Sequence, residues 1–235
     1  MSVNPQGLPG FRTARTGIAR RIRKSDMGLA YITGGVVVDG SLSGDASNTG
    51  NVDVLRAGKV LARVSTSSTK FRNAIIGKTT AAYADNDTTL TVSAATATEF
   101  ARLITATGGN ISALFVGPPT AAGTVAETAI TVTAASGTTL TIADLNLNKV
   151  TDSLLVPASL VDGTWCFVDD NDGVVLTDQN NARIDNTCER PLRAGDIDSS
   201  QIIDWPADTS TRAWLVGKLN ATAGSGFLFD HLIGD

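Results

Sequence analysis

Apolar and polar positions alternate most cleanly around residue 136. Ile130, Val132 and Ala134 share one parity, Leu140 and Ile142 resume it beyond Ser136-Gly137, and threonines fill most places between. Period-two alternation across a two-residue turn containing glycine predicts a β-hairpin. Its second strand, Thr138-Thr139-Leu140-Thr141-Ile142, repeats Thr88-Thr89-Leu90-Thr91-Val92 at an offset of 50 residues. An earlier hairpin is therefore expected to turn at Asp85-Asn86-Asp87. After each repeated strand the spacing becomes helical. Ala97, Phe100, Ala101 and Ile104 fall at i, i+3, i+4 and i+7 behind Ser93 as N-cap, and Leu147, Val150 and Leu154 share a face behind Asp144. Residues 78–163 thus read as two hairpin-plus-helix units, roughly 78–104 and 128–155. That is a duplicated insertion, since a solenoid needs about three or more repeats.

The remaining elements are mostly strands. Residues 29–39 predict a strand with a bulge or kink at Gly34-Gly35, 53–64 a strand turning at Ala57-Gly58, and 70–76 another strand. Residues 164–178 predict a hairpin across 169–173, and 226–233 a final strand. A third helix is expected at 209–219, so helices are confined to 94–105, 145–155 and 209–219. Residues 1–28 read as an arm broken by Pro5, Gly7, Pro9 and Gly10, and 40–50 as a flexible polar segment. Aromatic residues are sparse in the middle and cluster late, at Trp165, Phe167, Trp205, Trp214, Phe227 and Phe229, so the best-packed core is expected to include the last third. The fold class is mainly β with short helices.

One stretch carries a resemblance. Leu55-Arg56-Ala57-Gly58 followed by Val60-Leu61-Ala62-Arg63-Val64, within residues 51–77, resembles the start of the lambda-type phage head decoration proteins, which cement assembled capsids. Two further segments look like phage structural proteins with an enlarged fold of that kind. One is 79–123, ending in Gly117-Pro118-Pro119-Thr120-Ala121-Ala122-Gly123; the other is Asp198-Ser199-Ser200-Gln201-Ile202-Ile203-Asp204-Trp205-Pro206. The resemblance implies a small β-barrel or β-tulip-like decoration domain. Leu192-Arg193-Ala194-Gly195 echoes Leu55-Arg56-Ala57-Gly58, so that domain is read as 51–77 plus 164–235. Residues 78–163 form an inserted hairpin-plus-helix repeat domain with no counterpart in the much shorter decoration proteins, and 1–50 form a basic arm and flexible lead-in. The implied partner is the major capsid protein, bound on the outer surface of the virion by a homotrimer at local three-fold positions. Assembly would take place in the host cytoplasm.

Charge sharpens this picture. Six of the 19 basic residues, Arg12, Arg15, Arg20, Arg21, Arg23 and Lys24, fall in the first 24 positions with no acid among them. The remainder sets 13 basic residues against all 23 acids, a balance of about −10. A basic arm on an acidic body is suited to another acidic surface, and these six residues are the capsid-binding candidates. Nucleic acid fits less well, because the arm has no aromatic but Phe11 and an acidic body would repel phosphates.

Chemistry is disfavoured. His231 is the single histidine, which leaves no Ser-His-Asp triad and no multi-histidine zinc site. Asp169-Asp170-Asn171-Asp172-Gly173 resembles a calcium loop, but aligning on Gly173 puts Val168 and Gln179 at the two ends where acids are required. A hairpin turn is the preferred reading, with a loose surface calcium site as the alternative. No phosphate loop occurs. Cys166 and Cys188 are read as two buried thiols, with one bridge possible if their Cα atoms lie within about 7 Å. No apolar leader follows the N-terminal charges, and no apolar run nears the ~20 residues of a membrane span, so a soluble chain without membrane contact is expected. The expectation is a structural virion protein, with no enzyme activity and no cofactor. The alternatives are a tail or fibre protein, or a carbohydrate-binding surface domain using Trp205 beside Pro206.

Overall fold

The computed structural model describes residues 22–23, 29–118, 124–161, 164–169 and 173–221, together with the backbone of 227–229. Its strands are β1 (Ala30–Tyr31), β2 (Val36–Val38), β3 (Val54–Leu55), β4 (Val60–Arg63), β5 (Lys70–Asn73), β6 (Gly77–Lys78) and β7 (Thr89–Thr91), followed by helix α1 (Ala94–Thr107). The chain continues with β8 (Ile111–Gly117), β9 (Ala126–Val132), β10 (Ala134–Ser136), β11 (Thr139–Thr141), β12 (Leu154–Pro157), β13 (Trp165–Val168), β14 (Val174–Val175), β15 (Asn186–Cys188) and β16 (Pro191–Ile197). A 3-10 turn (Ser199–Gln201), helix α2 (Thr209–Asn220) and β17 (Phe227–Phe229) complete it. The protein is mainly β.

Four sheets result, and none of them closes into a barrel among the described residues. The largest runs β1-β16-β13-β4-β5-β2-β15, with β17 added alongside β16. The others are β6-β12-β8-β9, β10-β11-β7 and β14-β3. The largest sheet draws its strands from residues 30–73 and 165–229, whereas 77–157 supply the four- and three-stranded sheets. Strands β1 and β2, from the stretch read as lead-in, belong to the large sheet.

Alternation along each strand sorts side chains between cores, because successive residues of a strand face opposite sides. On β4, Val60 and Ala62 face one core and Leu61 the next. On β12, Leu154 and Val156 join the first of these, while Leu155 faces a third. The layers therefore stack in one order. The β14-β3 pair covers one face of the large sheet through Leu55, Val174 and Leu176. Trp165, Phe167 and Leu192 join the other face to the four-stranded sheet and to Leu215 and Leu219 of α2. The far side of the four-stranded sheet packs through Phe115 and Ile130 on Leu90, Leu140 and α1.

The two repeated strands pair with each other. Leu90 faces Leu140, with Thr89 opposite Thr141 and Thr91 opposite Thr139. The Val92 amide donates to the Thr138 carbonyl and the Ile142 amide to the Thr88 carbonyl, at 2.8 and 2.9 Å. A local two-fold axis through the Leu90–Leu140 pair thus relates the two strands. The hairpin at Gly137 forms, with φ of 59° at that glycine. The first turn is looser, joined by a single bridge between Thr79 and Val92. Helix α1 starts at Ser93, whose hydroxyl accepts from the Thr96 amide, and ends at Gly108 in the left-handed region.

Four expectations are corrected. Residues 145–155 are not a helix: Asn146 and Asp152 have positive φ, Lys149 pairs with Tyr83, and the end of the segment is β12. Leu154 and Leu155 are both fully buried on opposite sides of one sheet, an arrangement a strand gives and one helical face does not. Strands β13 and β14 do not form a hairpin, because β4 and β16 already occupy both edges of β13. Residues 29–39 are not one strand with a bulge or kink: Gly34-Gly35 makes a turn, with the Gly35 amide donating to the Ile32 carbonyl, that splits them into β1 and β2. Segment 40–50 is packed instead of flexible through its middle, with Ser43 and Asp45 at 0% exposure.

Candidate interaction site at the root of the basic arm

Arg23 is the one capsid-binding candidate among the described residues; Arg12, Arg15, Arg20, Arg21 and Lys24 lie outside them. Ile22 beside it is fully buried against the core under the large sheet. Arg23 bridges Ile197 at the end of β16, and the Asp198 amide donates to the Ile22 carbonyl at 2.9 Å. Its guanidinium Nε lies 3.0 and 3.2 Å from the two carboxylate oxygens of Asp169, a side chain with 0% exposure. Arg23, read as a capsid-binding candidate, thus pairs with an acid of its own chain. Proximity in sequence could not reveal the partner, since the two are 146 positions apart.

Asp169 gathers more than Arg23. The Tyr31 hydroxyl donates to it at 2.6 Å, and the Arg190 guanidinium donates to that hydroxyl at 2.8 Å while lying over the tyrosine ring. Burial, and then the hydrogen bond to Asp169, push the Tyr31 phenol above its ordinary pKa. A buried carboxylate is tolerable only when paired and hydrogen-bonded, and here two guanidinium groups and a phenol meet that need. The loop that resembled a calcium site thus uses its first acid internally. Asp170 to Asp172 lie outside the described residues.

A second charged cluster surrounds Leu55-Arg56-Ala57-Gly58. Arg56 makes a two-pronged pair with Asp45, at 2.7 and 3.1 Å, and also donates to Ser47. Lys59, 5% exposed, lies 3.0 Å from Asp204 and 3.6 Å from Asp45. Burial alone would lower the Lys59 pKa, but Asp204 and Asp45 outweigh it and raise it. Burial would likewise raise Asp45, but Lys59 and Arg56 hold it below its ordinary value. Gly58 has φ of 92°, and a Cβ there would collide with the Gln201 carbonyl. The Ile203 amide donates to the Gly58 carbonyl. Two of the three segments that carry the resemblance, 51–77 and 198–206, therefore dock on each other.

The other candidates are placed as follows. Trp205 is half-buried against the core between the large and four-stranded sheets, and its carbonyl accepts from Lys78. Cys166 and Cys188 form no disulfide and are buried in one core, where burial and the neighbouring thiol push the Cys166 pKa well up. His231 lies outside the described residues. A shallow groove of about 530 Å³ runs between α1 and Ser41, lined by Thr98, Ala101, Arg102, Thr105 and Arg183. Both arginines are committed there, Arg102 to Glu99 and Arg183 to Asp53. Lys149 was not anticipated from sequence. It is 2% exposed, donates to the Gly117 and Ala126 carbonyls at 2.7 Å each, and has its pKa lowered by burial to about 8.

Comparison with protein-family models, curated proteins and solved structures finds no match for this chain.

Proposed function

We propose that the protein is a structural virion component that binds the outer surface of an assembled phage capsid and cements it, within an enlarged β-tulip-like decoration fold. The observation that carries this reading is the sequence resemblance in 51–77, whose residues supply β4 and β5 in the middle of the largest sheet and a turn that docks 198–204. The basic arm supports it. Its root is fixed to the acidic body at Ile22 and Arg23, so its charge is delivered from a defined point. A cement acts by area and repetition. Each exposed ion pair contributes only ~0–1 kcal/mol, but many copies binding only the assembled shell stabilise it by mass action. The partner is the major capsid protein, engaged by a homotrimer on the virion exterior.

The test uses purified capsids lacking this protein. Added protein should bind at about one copy per major capsid subunit and raise the temperature at which shells open. Deleting residues 1–21, which leaves the packed root intact, should weaken binding in dilute buffer. The difference between full-length and shortened chains should shrink near 1 M salt, where screening acts within about 3 Å. Binding at only a few copies per particle would point to a tail or fibre component instead. No binding at all would refute the capsid reading.

A further inference from the structure

We propose that the outer edge of β9 is a pairing edge for a second copy of this chain, joined antiparallel about a two-fold axis through Ala129. Among the described residues β9 is the one sheet-edge strand longer than three residues. The other sheet-end strands, β1, β15, β17, β10, β7, β6, β14 and β3, have two or three residues each. Short edges are one of the ways proteins avoid edge-to-edge association; lysine, proline and bulges are others. Strand β9 uses none of them. It runs seven residues, Ala-Glu-Thr-Ala-Ile-Thr-Val, paired one for one with β8 without a register shift. Its single charge, Glu127, is drawn towards α2 by the Trp214 indole at 2.8 Å and Lys218 at 3.4 Å.

The ladder fixes which backbone groups face outward. The Ser112 carbonyl accepts from Ala158 and the Leu155 carbonyl from Ile76, so Ser112, Leu114 and Val116 bond towards β12. Antiparallel alternation then turns Ala113, Phe115 and Gly117 towards β9, where their partners are Ile130, Thr128 and Ala126. Glu127, Ala129 and Thr131 are left presenting amides and carbonyls outward, and all three are exposed. The strand is also held in place, because Ile130 and Val132 are anchored in the core at 4% and 0% exposure. A preformed edge loses little freedom on pairing.

A second copy fits this edge in a specific register. Centring an antiparallel pair on Ala129 places Ala129 opposite its own counterpart and Glu127 opposite Thr131 of the second copy. All outward amides and carbonyls of the three residues are then satisfied. No like charges meet, and a threonine hydroxyl faces each carboxylate. The smallest of the three side chains lies on the axis, where the approach is closest. The arm of residues 1–21 suits the edge less well, because Pro5, Pro9 and three glycines interrupt any continuous ladder. The contact is separate from the three-fold association of the capsid reading, which is made on the shell, and is tested on the free protein.

Cysteine trapping reads the register directly, since both native cysteines are buried. Directly opposed residues in a hydrogen-bonded pair lie about 5.5 Å apart, within disulfide reach. The two copies of residue 131 would be about 15 Å apart, from a rise of ~3.4 Å per residue over four positions and the ~5.5 Å between the paired strands. Under oxidised glutathione, Ala129→Cys should form a disulfide dimer at least tenfold faster than Thr131→Cys, an equally exposed site. Equal rates, or no dimer from Ala129→Cys, would overturn the proposal. Independently, the wild-type chain should sediment increasingly as a dimer with concentration, and Ala129→Pro, which removes an outward amide, should remain monomeric with an unchanged circular dichroism spectrum. Dimerisation of a folded Ala129→Pro variant equal to wild type would also overturn it. So would an edge variant that loses capsid binding while Ala129→Cys fails to cross-link, because the edge would then accept a strand of the shell.

Discussion

Replacing Asp169 with alanine removes the buried acid that pairs with the arm's root. In the native chain this carboxylate has 0% exposure and faces Arg23, 14% exposed, and Arg190, 43% exposed. Breaking a buried ion pair costs about 3–5 kcal/mol, because the surviving charge is left without its partner. Arg190 can turn to water and Arg23 can do so in part, so the lower end applies, about 3 kcal/mol. For a chain of this size each kcal/mol moves the melting temperature by about 2–4 °C, giving an expected drop of about 6–12 °C. Tyr31→Phe deletes only the hydroxyl bonded to the same carboxylate and should cost about 1 kcal/mol. Melting measurements give the ranking. Hydrogen exchange gives the location, because the Asp198 amide is protected by its bond to the Ile22 carbonyl. That amide should lose protection in Asp169→Ala well before the amides of β4. An Asp169→Ala chain that melts within about 2 °C of wild type, or keeps Asp198 fully protected, would refute the latch.

Three other outcomes are expected. Because burial lowers the Lys149 pKa to about 8 against an unfolded value of 10.5, the unfolded chain holds the extra proton between those values; stability should therefore rise with pH from about 8 towards 10 in wild type relative to Lys149→Met, measured as the difference in melting temperature. Leu90→Ala and Leu140→Ala should each cost about 2–5 kcal/mol in denaturant unfolding, and the double variant should cost measurably more or less than their sum because the two side chains face each other across the local two-fold axis. Gly58→Ala should destabilise by more than 1 kcal/mol, since it combines φ of 92° with a collision against Gln201, and an unchanged unfolding midpoint would show that the 198–204 segment can move aside.

Much of the strand layout was legible because alternation reports burial directly. Leu90, Val92, Ile130, Val132, Leu140 and Ile142 are all buried, as their shared parity implies. Helix α1 was legible for the same reason, reinforced by a cap at Ser93 that needs only local chemistry. The failure at 145–155 is of a different kind. Leu147, Val150 and Leu154 fit a helical face, but the decision belonged to β6 and β8, which had a place for Leu154 and Leu155 between them. A short apolar pattern cannot report a vacancy in a distant sheet.

The charged sites were hidden by the same non-locality. Asp45, Asp169 and Asp204 sit in turn-like stretches, where aspartate is ordinarily solvated. Nothing local in the sequence marks them as buried. In the folded chain Asp45 and Asp169 are fully buried, and Asp204 and Asp45 together hold the ammonium of Lys59. Each ties together parts of the chain distant in sequence: Asp169 joins the arm's root to β1 and to the start of β16, and Asp204 joins the C-terminal segment to the start of β4. The acidic excess of the body is thus partly spent inside, on fastening the chain's ends. An interaction surface inferred from net charge alone would overstate what remains outside. The relevant quantity for binding a basic or acidic partner is the charge left exposed after these internal pairs are formed. It is this remainder, together with the arm beyond Ile22, that the salt dependence of particle binding would measure.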